Sequence, residues 1–153
     1  MCYYEICKVS KAEIEEIEGS LFLPSFKRLK FVNIKKTFFK KLLHKVFKIS
    51  EKKCKKFDDY KMIVDPFSKT LPNHYEFKSC PVADYAKEYG FNNLMSSFCN
   101  PDFKGMELMN SKLIRTTTCG NGNVCDYTIC QKDDPYMMCH KEYVDNEGYI
   151  RNE

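Results

Sequence analysis

Residues 112–130 read KLIRTTTCGNGNVCDYTIC, and this stretch decides the kind of fold that the chain can form. The runs 112–119 and 124–130 are rich in β-forming residues, and the GNGN between them, at residues 120–123, is typical of a hairpin turn. Side chains alternate along a strand, so Cys125 and Tyr127 should share one face while Asp126 takes the other. The stretch therefore predicts an antiparallel β-hairpin.

The sequence before the hairpin predicts a mixture of helices and short strands. Ser10 should cap a helix over residues 11–18, with Glu13 at the capping-box position and Gly19 ending the helix. The other predicted elements are a helix over 26–48 (or the same helix broken near Asn33), strands over 60–64 and 74–80, and helices over 81–89, 94–98 and 102–110. We therefore expect an α+β fold, with N-terminal helices packed on a small antiparallel β-sheet that ends in the β-hairpin.

The chain length of 153 residues suits a single domain over residues 1–153. Composition divides it into a helical, basic segment (1–56), an α+β part that carries the candidate site (57–130) and a polar C-terminal extension (131–153). The last ten residues of that extension are expected to fray.

Positive charge is concentrated in one segment. Residues 26–56 contain thirteen basic side chains and one acid, Glu51, so this segment carries +12 and the remainder about −8. Its apolar residues recur at helical spacing: Phe31, Ile34, Phe38, Leu42 and Val46, widened by Phe39, Leu43 and Phe47. We expect this apolar stripe to face the core and the lysines to face solvent. The alternative is a basic amphipathic helix that touches membrane or nucleic acid, and an exposed Phe-rich face would make a homodimer plausible.

Nine cysteines are many for a protein that we expect in the cytoplasm. The first ten residues show no signal peptide, and no stretch is long and apolar enough for a membrane span, so we expect reduced thiols and no membrane-spanning segment. No recognised nucleic-acid motif is present, and nucleic acid is not an expected partner. No C-x-x-C pair occurs, so structural zinc is weakly supported and no other cofactor is expected.

Cys99 is the cysteine whose position most favours chemistry. It precedes Asn100 and Pro101 at a predicted helix end, where a turn could expose the thiol and lower its pKa. On sequence position alone we favour the other interpretation, a buried cysteine that acts as a small apolar side chain. Asp102 could simply cap the next helix, and Asp126, if it faces inward, needs a partner, for which Arg115 is the candidate. His74 and His140 are the available bases outside the basic segment.

Three motifs together resemble one enzyme family. They are CPVADYAKEYG at residues 80–90, LMSSFCNPDF at residues 94–103 and LIRTTTCGNGNVCDY at residues 113–127. In this order they resemble the L-2-amino-thiazoline-4-carboxylic acid hydrolase family, through Cys80, the F-C-x-x-D element of residues 98–102, and the hairpin from Arg115 to Tyr127. The resemblance spans about residues 76–128, and it gives no role to Cys119.

The resemblance implies hydrolysis of a C–N bond in a cyclic amidine or thiazoline-like small molecule. Such a reaction needs a nucleophile at the amidine carbon, a proton for the ring nitrogen and a carboxylate beside the cationic amidine. Cys99 would be the nucleophile, and Arg115 or a helix N-terminus would bind the substrate carboxylate. The residues assigned to the site are Cys99, Asp102, Cys125 and Asp126 as catalytic groups and Cys80, Arg115 and His74 as substrate-binding groups.

Two other functions remain open. The first is a small-molecule-binding or redox-sensing domain without turnover, since the hairpin also resembles the end of sensor domains of the vinyl-reductase type. The second is a structural protein stabilised by zinc.

Overall fold

The computed structural model describes residues 7–56 and 60–153. Residues 1–6, part of the stretch in which we predict no signal peptide, and residue 57, at which the predicted α+β part begins, lie outside the described residues. The elements in chain order are α1 (Lys11–Lys27), α2 (Thr37–Cys54), β1 (Met62–Val64), β2 (Asn73–Phe77), α3 (Pro81–Glu88), a 3₁₀ turn (Asn92–Leu94), α4 (Met95–Cys99), α5 (Pro101–Leu108), β3 (Ser111–Ile114), β4 (Cys125–Gln131), α6 (Pro135–Met138), β5 (Glu142–Val144) and β6 (Ile150–Asn152). The α+β prediction is confirmed. None of the described helices is long and apolar enough to cross a membrane.

The main sheet has four antiparallel strands in the order β1-β2-β4-β3. One face is buried, and on it Tyr75 of β2 lies directly opposite Val64 of β1 and Tyr127 of β4. Because side chains alternate, Cys125 shares this face with Tyr127. The helices cover this face, so Tyr75 and Tyr127 lie in the hydrophobic core between the sheet and the helices.

The predicted hairpin is confirmed as the pair β3–β4, but its connection is longer than the GNGN turn. β3 ends at Ile114, and residues 115–124 form the connection. The cause is Asp126, whose carboxylate accepts hydrogen bonds from the backbone N–H groups of Thr116 and Thr117 and from the Thr116 hydroxyl. These bonds occupy donors that a longer ladder would need, so the threonine run forms a loop instead of strand.

The N-terminal helices differ from the prediction in their limits. The Ser10–Glu13 capping box is confirmed, but α1 continues through Gly19 and Pro24 to Lys27. The predicted end at Gly19 and the single helix over 26–48 are therefore wrong, whereas the break near Asn33 is confirmed. α1 packs on α5, where a Cβ atom at Gly105 would lie 3.2 Å from the Phe26 ring, so glycine permits this close approach.

The prediction for the apolar stripe of α2 is wrong for half of its members. Phe47 is buried and packs on Tyr75, with the ring centroids 4.6 Å apart, but Phe38, Leu42 and Val46 are exposed. Polar contacts with the chain around β1 fix which side of α2 faces the sheet. Lys48 Nζ donates to the Val64 carbonyl at 3.0 Å, and His44 Nε2 lies 2.9 Å from the Asp65 carbonyl.

The expectation that the last ten residues fray is also wrong. β5 and β6 pair as a second hairpin, and Tyr149 and Asn152 are buried. Asn152 pairs with Arg115 at two points: its N–H donates to the Arg115 carbonyl, and its Oδ1 accepts from the Arg115 N–H, both at 2.9 Å. The C-terminal residues are therefore packed beside the candidate site.

Candidate functional site

Arg115 is the centre of the site that the fold assembles. It follows β3 directly, and its side chain has no exposed surface. Nη1 donates to the Cys99 carbonyl at 2.9 Å, and Nη2 donates to the Ile150 carbonyl at 3.1 Å. Arg115 thus joins the end of α4 to β6. Its Nε has no acceptor among the described residues.

Asp102 supplies a buried carboxyl group beside this guanidinium. It lies in the first turn of α5, where Oδ2 accepts a hydrogen bond from the Tyr127 hydroxyl at 2.8 Å and lies 3.6 Å from Arg115 Nη1. Burial raises the pKa of Asp102, and Arg115 and Tyr127 oppose this rise only in part. The side chain as a whole keeps 24% exposure.

Aromatic rings fix the positions of these charged groups. Tyr127 stacks on Tyr75 with the centroids 4.9 Å apart and the planes inclined by 6°. The Arg115 guanidinium carbon lies 4.8 Å from the centroid of the Phe103 ring and 5.8 Å from that of Tyr127. Both contacts are within the range of cation–π attraction. The sheet and α5 therefore hold Arg115 and the Tyr127 hydroxyl in one arrangement.

Cys99 lies at the edge of this cluster, and its thiol is not activated. Burial raises its pKa to about 12, and Arg115 only partly offsets the effect. Cys99 is the last residue of α4, and the C-terminal end of a helix disfavours negative charge. The interpretation with a lowered pKa is therefore wrong, and the buried cysteine that position alone favours is confirmed. The half-buried thiol is protonated at neutral pH.

Cys119, to which the sequence gave no role, belongs to the same group of thiols. Its N–H donates to Cys125 Sγ at 2.9 Å, and a hydrogen bond between the two side chains lowers the pKa of Cys119 to about 7. The pKa of Cys125 is raised for the same reason, because the pair shares the first negative charge. The positions of both cysteines beside the GNGN turn were the available signal.

Cys80 completes the group. It precedes α3 as its N-terminal flanking residue and is half-buried, and burial raises its pKa. Charge on Cys80 or Cys119 would act on Cys99, so the structure brings Cys80, Cys99, Cys119 and Cys125 close together. These thiols come from separate elements, as the sequence indicated.

Two residues assigned to the site lie elsewhere. Asp126 is on the opposite face of β4 from Tyr127 and binds the threonine loop, so Arg115 pairs with Asp102 and not with Asp126. His74 lies on the outer face of β2, with Nδ1 2.9 Å from the Asp65 carboxylate. The fold therefore does not bring His74 or Asp126 into the cluster of Cys99, Asp102 and Arg115.

A polar cleft lies next to the cluster on the side of the C-terminal hairpin. It has a volume of about 610 Å³ and is lined by Lys11, Asn92, Asn93, Gly120, Asn121, Asn146, Glu147 and Tyr149. Lys11 Nζ, which belongs to this lining, donates to Ser96 Oγ at 2.7 Å. Tyr149 lines the cleft, and burial raises its pKa, with a smaller contribution in the same direction from a negative charge on Cys99. Sequence reasoning missed Lys11 and Tyr149, which lie far from the motifs.

No group of three or more His, Cys, Asp or Glu side chains within residues 7–56 and 60–153 is arranged to hold a metal ion. Within the cluster, Cys119 Sγ donates to the Phe77 carbonyl at 3.4 Å, and Cys125 Sγ accepts from the Cys119 N–H. A zinc-stabilised protein stays a prediction that only metal analysis of the purified protein can test.

Comparison with known proteins adds one finding to this geometry. No curated protein and no solved structure matches the chain significantly. The family model described as L-2-amino-thiazoline-4-carboxylic acid hydrolase, however, matches residues 3–129, which is more than four-fifths of the chain. The match includes all the residues of the cluster except those of β6. The chain therefore belongs to the L-2-amino-thiazoline-4-carboxylic acid hydrolase family.

Proposed function

We propose that the protein hydrolyses a ring C–N bond of a cyclic amidine that carries a carboxylate, with Cys99 and Asp102 as the reacting groups. One observation carries the proposal: a carboxyl group with a raised pKa, Asp102, is held by Tyr127 and Arg115 beside a thiol that is protonated at neutral pH. Family membership favours a thiazoline carboxylate as the substrate class.

The raised pKa of Cys99 fits an amidine substrate, because an amidine nitrogen is itself a base. As the Cys99 sulfur forms a bond to the amidine carbon, the thiol proton passes to the ring nitrogen. The C–N bond then breaks, its electron pair stays on nitrogen, and Asp102 supplies the second proton that makes nitrogen an amine. The remaining cationic carbon is paired with the Asp102 carboxylate until water displaces the sulfur. That step returns one proton each to Cys99 and Asp102 and leaves a carbamoyl product.

Arg115 acts in this scheme by position and charge. Its side chain is fully buried, and its terminal nitrogens donate to carbonyl groups. We therefore assign Arg115 to positioning Asp102 and not to direct contact with the substrate. Lys11 in the polar cleft is the better cation for a substrate carboxylate, since it is half-buried and bound only through Ser96 among the contacts observed there. Cys80, Cys119 and Cys125 line the thiol side of the cluster.

The test is turnover of 2-amino-thiazoline-4-carboxylate by purified protein. We expect Cys99→Ser to remove measurable turnover and Asp102→Asn to lower kcat about a hundredfold or more. Lys11→Gln should raise KM about tenfold with kcat little changed, as for the loss of one charge-assisted hydrogen bond. Cys54→Ser and Asp84→Asn are the matched controls, a half-buried thiol outside the cluster and an acid in the first turn of another eight-residue helix. Turnover by the Cys99→Ser variant at the unaltered rate would refute the assigned nucleophile.

A second candidate function, redox sensing without turnover, is favoured by the Cys119–Cys125 contact. A peroxide would oxidise the Cys119 thiolate to a sulfenic acid, and the Cys125 thiol would then close a disulfide with release of water. Mass mapping after peroxide treatment should find this disulfide and no other. Oxidation without it, or with the same rate in Cys119→Ser, would contradict this function.

A further inference from the structure

The exposed apolar face of α2 is not used by the core or by the site. Phe38, Leu42, Val46 and Ile49 follow one another at spacings of four, four and three residues, which places them on one side of the helix. Their exposed fractions are 72%, 47%, 48% and 47%. A row of four large apolar side chains open to solvent is unusual for a helix whose other side already packs on a sheet.

Lysines lie along one edge of this face and at its C-terminal end. Lys41, Lys45, Lys52 and Lys53 are exposed, and their positions on the helix lie within about one residue's turn of the apolar row. The only acid in residues 26–56, Glu51, is buried and bound to Lys48 at 2.8 Å, so it does not neutralise the exposed lysines. The face therefore combines an apolar row with a positively charged edge.

We propose that α2 binds the surface of an anionic lipid bilayer, lying in the plane of the interface with its apolar row among the acyl chains. A helix with a lysine-rich polar face and exposed Phe, Leu, Val and Ile has the composition of interfacial helices. The binding is peripheral, since none of the described helices could span a bilayer. Anionic headgroups meet the lysines, and the hydrocarbon boundary buries Phe38 and its neighbours.

Charge decides against the other occupants of this face. A second copy of the chain would bring two segments of +12 together, which costs free energy through like-charge repulsion. A nucleic acid would satisfy the lysines, but its phosphate backbone offers nothing to bury Leu42, Val46 and Ile49. An acidic protein could match the charges, and the test below separates it from lipid.

The experiment is co-sedimentation of the full-length protein with vesicles of phosphatidylcholine alone and of phosphatidylcholine mixed with phosphatidylglycerol. We expect binding to the mixed vesicles only, weakening as salt is added. Lys45→Gln should weaken binding about fivefold, from roughly 1 kcal/mol per lysine near an anionic surface. Val46→Gln should weaken it about tenfold through lost apolar burial.

Matched controls make the result specific to this face. Val144→Gln removes an exposed valine from β5, and Lys104→Gln removes an exposed lysine from α5, so both should bind the mixed vesicles like the wild type. Equal binding to both kinds of vesicle, no binding to either, or equal losses in the control variants would overturn the proposal. Binding to soluble polyglutamate without vesicle binding would overturn it in favour of an acidic protein partner.

Discussion

Replacing Arg115 with methionine should destabilise the fold more than any single change to the surface. The side chain has no exposed area, and it donates to the carbonyl groups of Cys99 and Ile150 while facing Asp102 at 3.6 Å. Methionine fills part of the volume, but both carbonyl groups lose the guanidinium as a donor, and the Asp102 carboxyl group keeps the Tyr127 hydroxyl but loses its cation. Breaking a buried ion pair at one partner typically costs about 3–5 kcal/mol.

The expected loss for Arg115→Met lies near the lower end of that range, about 3 kcal/mol. Asp102 is partly exposed and can take up a proton when the cation is removed, and Arg115 Nε has no acceptor in the described chain, so its own desolvation is not fully compensated. Urea unfolding at pH 7, followed by circular dichroism, measures the loss. Adding Asp102→Asn to Arg115→Met should then cost little more, because the two groups are coupled.

A loss of unfolding free energy below about 1 kcal/mol for Arg115→Met would contradict the stabilising role assigned to the buried guanidinium. It would mean that the contacts of the guanidinium with α4, α5 and β6 add little to the stability of the fold. Strict additivity of Arg115→Met and Asp102→Asn would contradict the ion pair in particular. Arg151→Met provides a matched control, because that arginine pairs with Asp145 at 2.8 Å but keeps 18% exposure, and its loss should be smaller.

Three further predictions concern pH, the C-terminal hairpin and the thiol pair. Burial raises the pKa of Asp102 above its ordinary value of 3.8. The contribution of Asp102 to stability is therefore fully present below the unfolded pKa and is lost as pH rises through the folded pKa. Urea unfolding at several pH values should show this loss in the wild type and not in Asp102→Asn. Asn152→Ala should lower the free energy of unfolding by about 1–3 kcal/mol, since it leaves the buried Arg115 N–H without its acceptor. An unchanged urea midpoint at pH 7 would contradict this prediction. Cys125→Ala should raise the pKa of Cys119 from about 7 towards that of an ordinary thiol, and the rate of iodoacetamide alkylation against pH would contradict this if its midpoint did not move.

The hairpin was predictable because its signals are local. β-rich runs on either side of GNGN require a reversal there, and strand alternation alone places Cys125 with Tyr127 and Asp126 on the other face. The length of the connection was not predictable, since it depends on the Asp126 carboxylate binding the N–H groups of the threonine run. A side chain that competes for backbone donors has no periodic signature.

The rotation of α2 shows where periodicity stops being informative. Phe38, Phe39, Leu42 and Leu43 form two adjacent apolar rows, and helical spacing cannot say which row faces the sheet. The choice comes from polar contacts such as Lys48 with the Val64 carbonyl, which lies far along the chain. Those contacts leave the row of Phe38 and Leu42 exposed.

The candidate site was predicted in its residues more than in its electrostatics. Motif resemblance correctly brought Cys99, Asp102 and Arg115 into one region, but it could not show that Cys99 is buried at a helix end with a pKa of about 12. It also missed Tyr149, because the C-terminal segment looked too polar to pack, and Lys11, because the start of α1 lies far from the motifs. Tertiary burial, which a local pattern does not encode, decided each of these points.

The most direct test of Cys99 as the nucleophile is to trap its covalent adduct with the substrate. Protein mixed with 2-amino-thiazoline-4-carboxylate would be quenched in acid during the first turnover and mapped by peptide mass spectrometry. We predict a covalent adduct on the peptide that contains Cys99. In Asp102→Asn this adduct should form more slowly, because the variant lacks the acid that protonates the leaving nitrogen. Product formation by the wild type with Cys99 unmodified at every quench time would contradict the account.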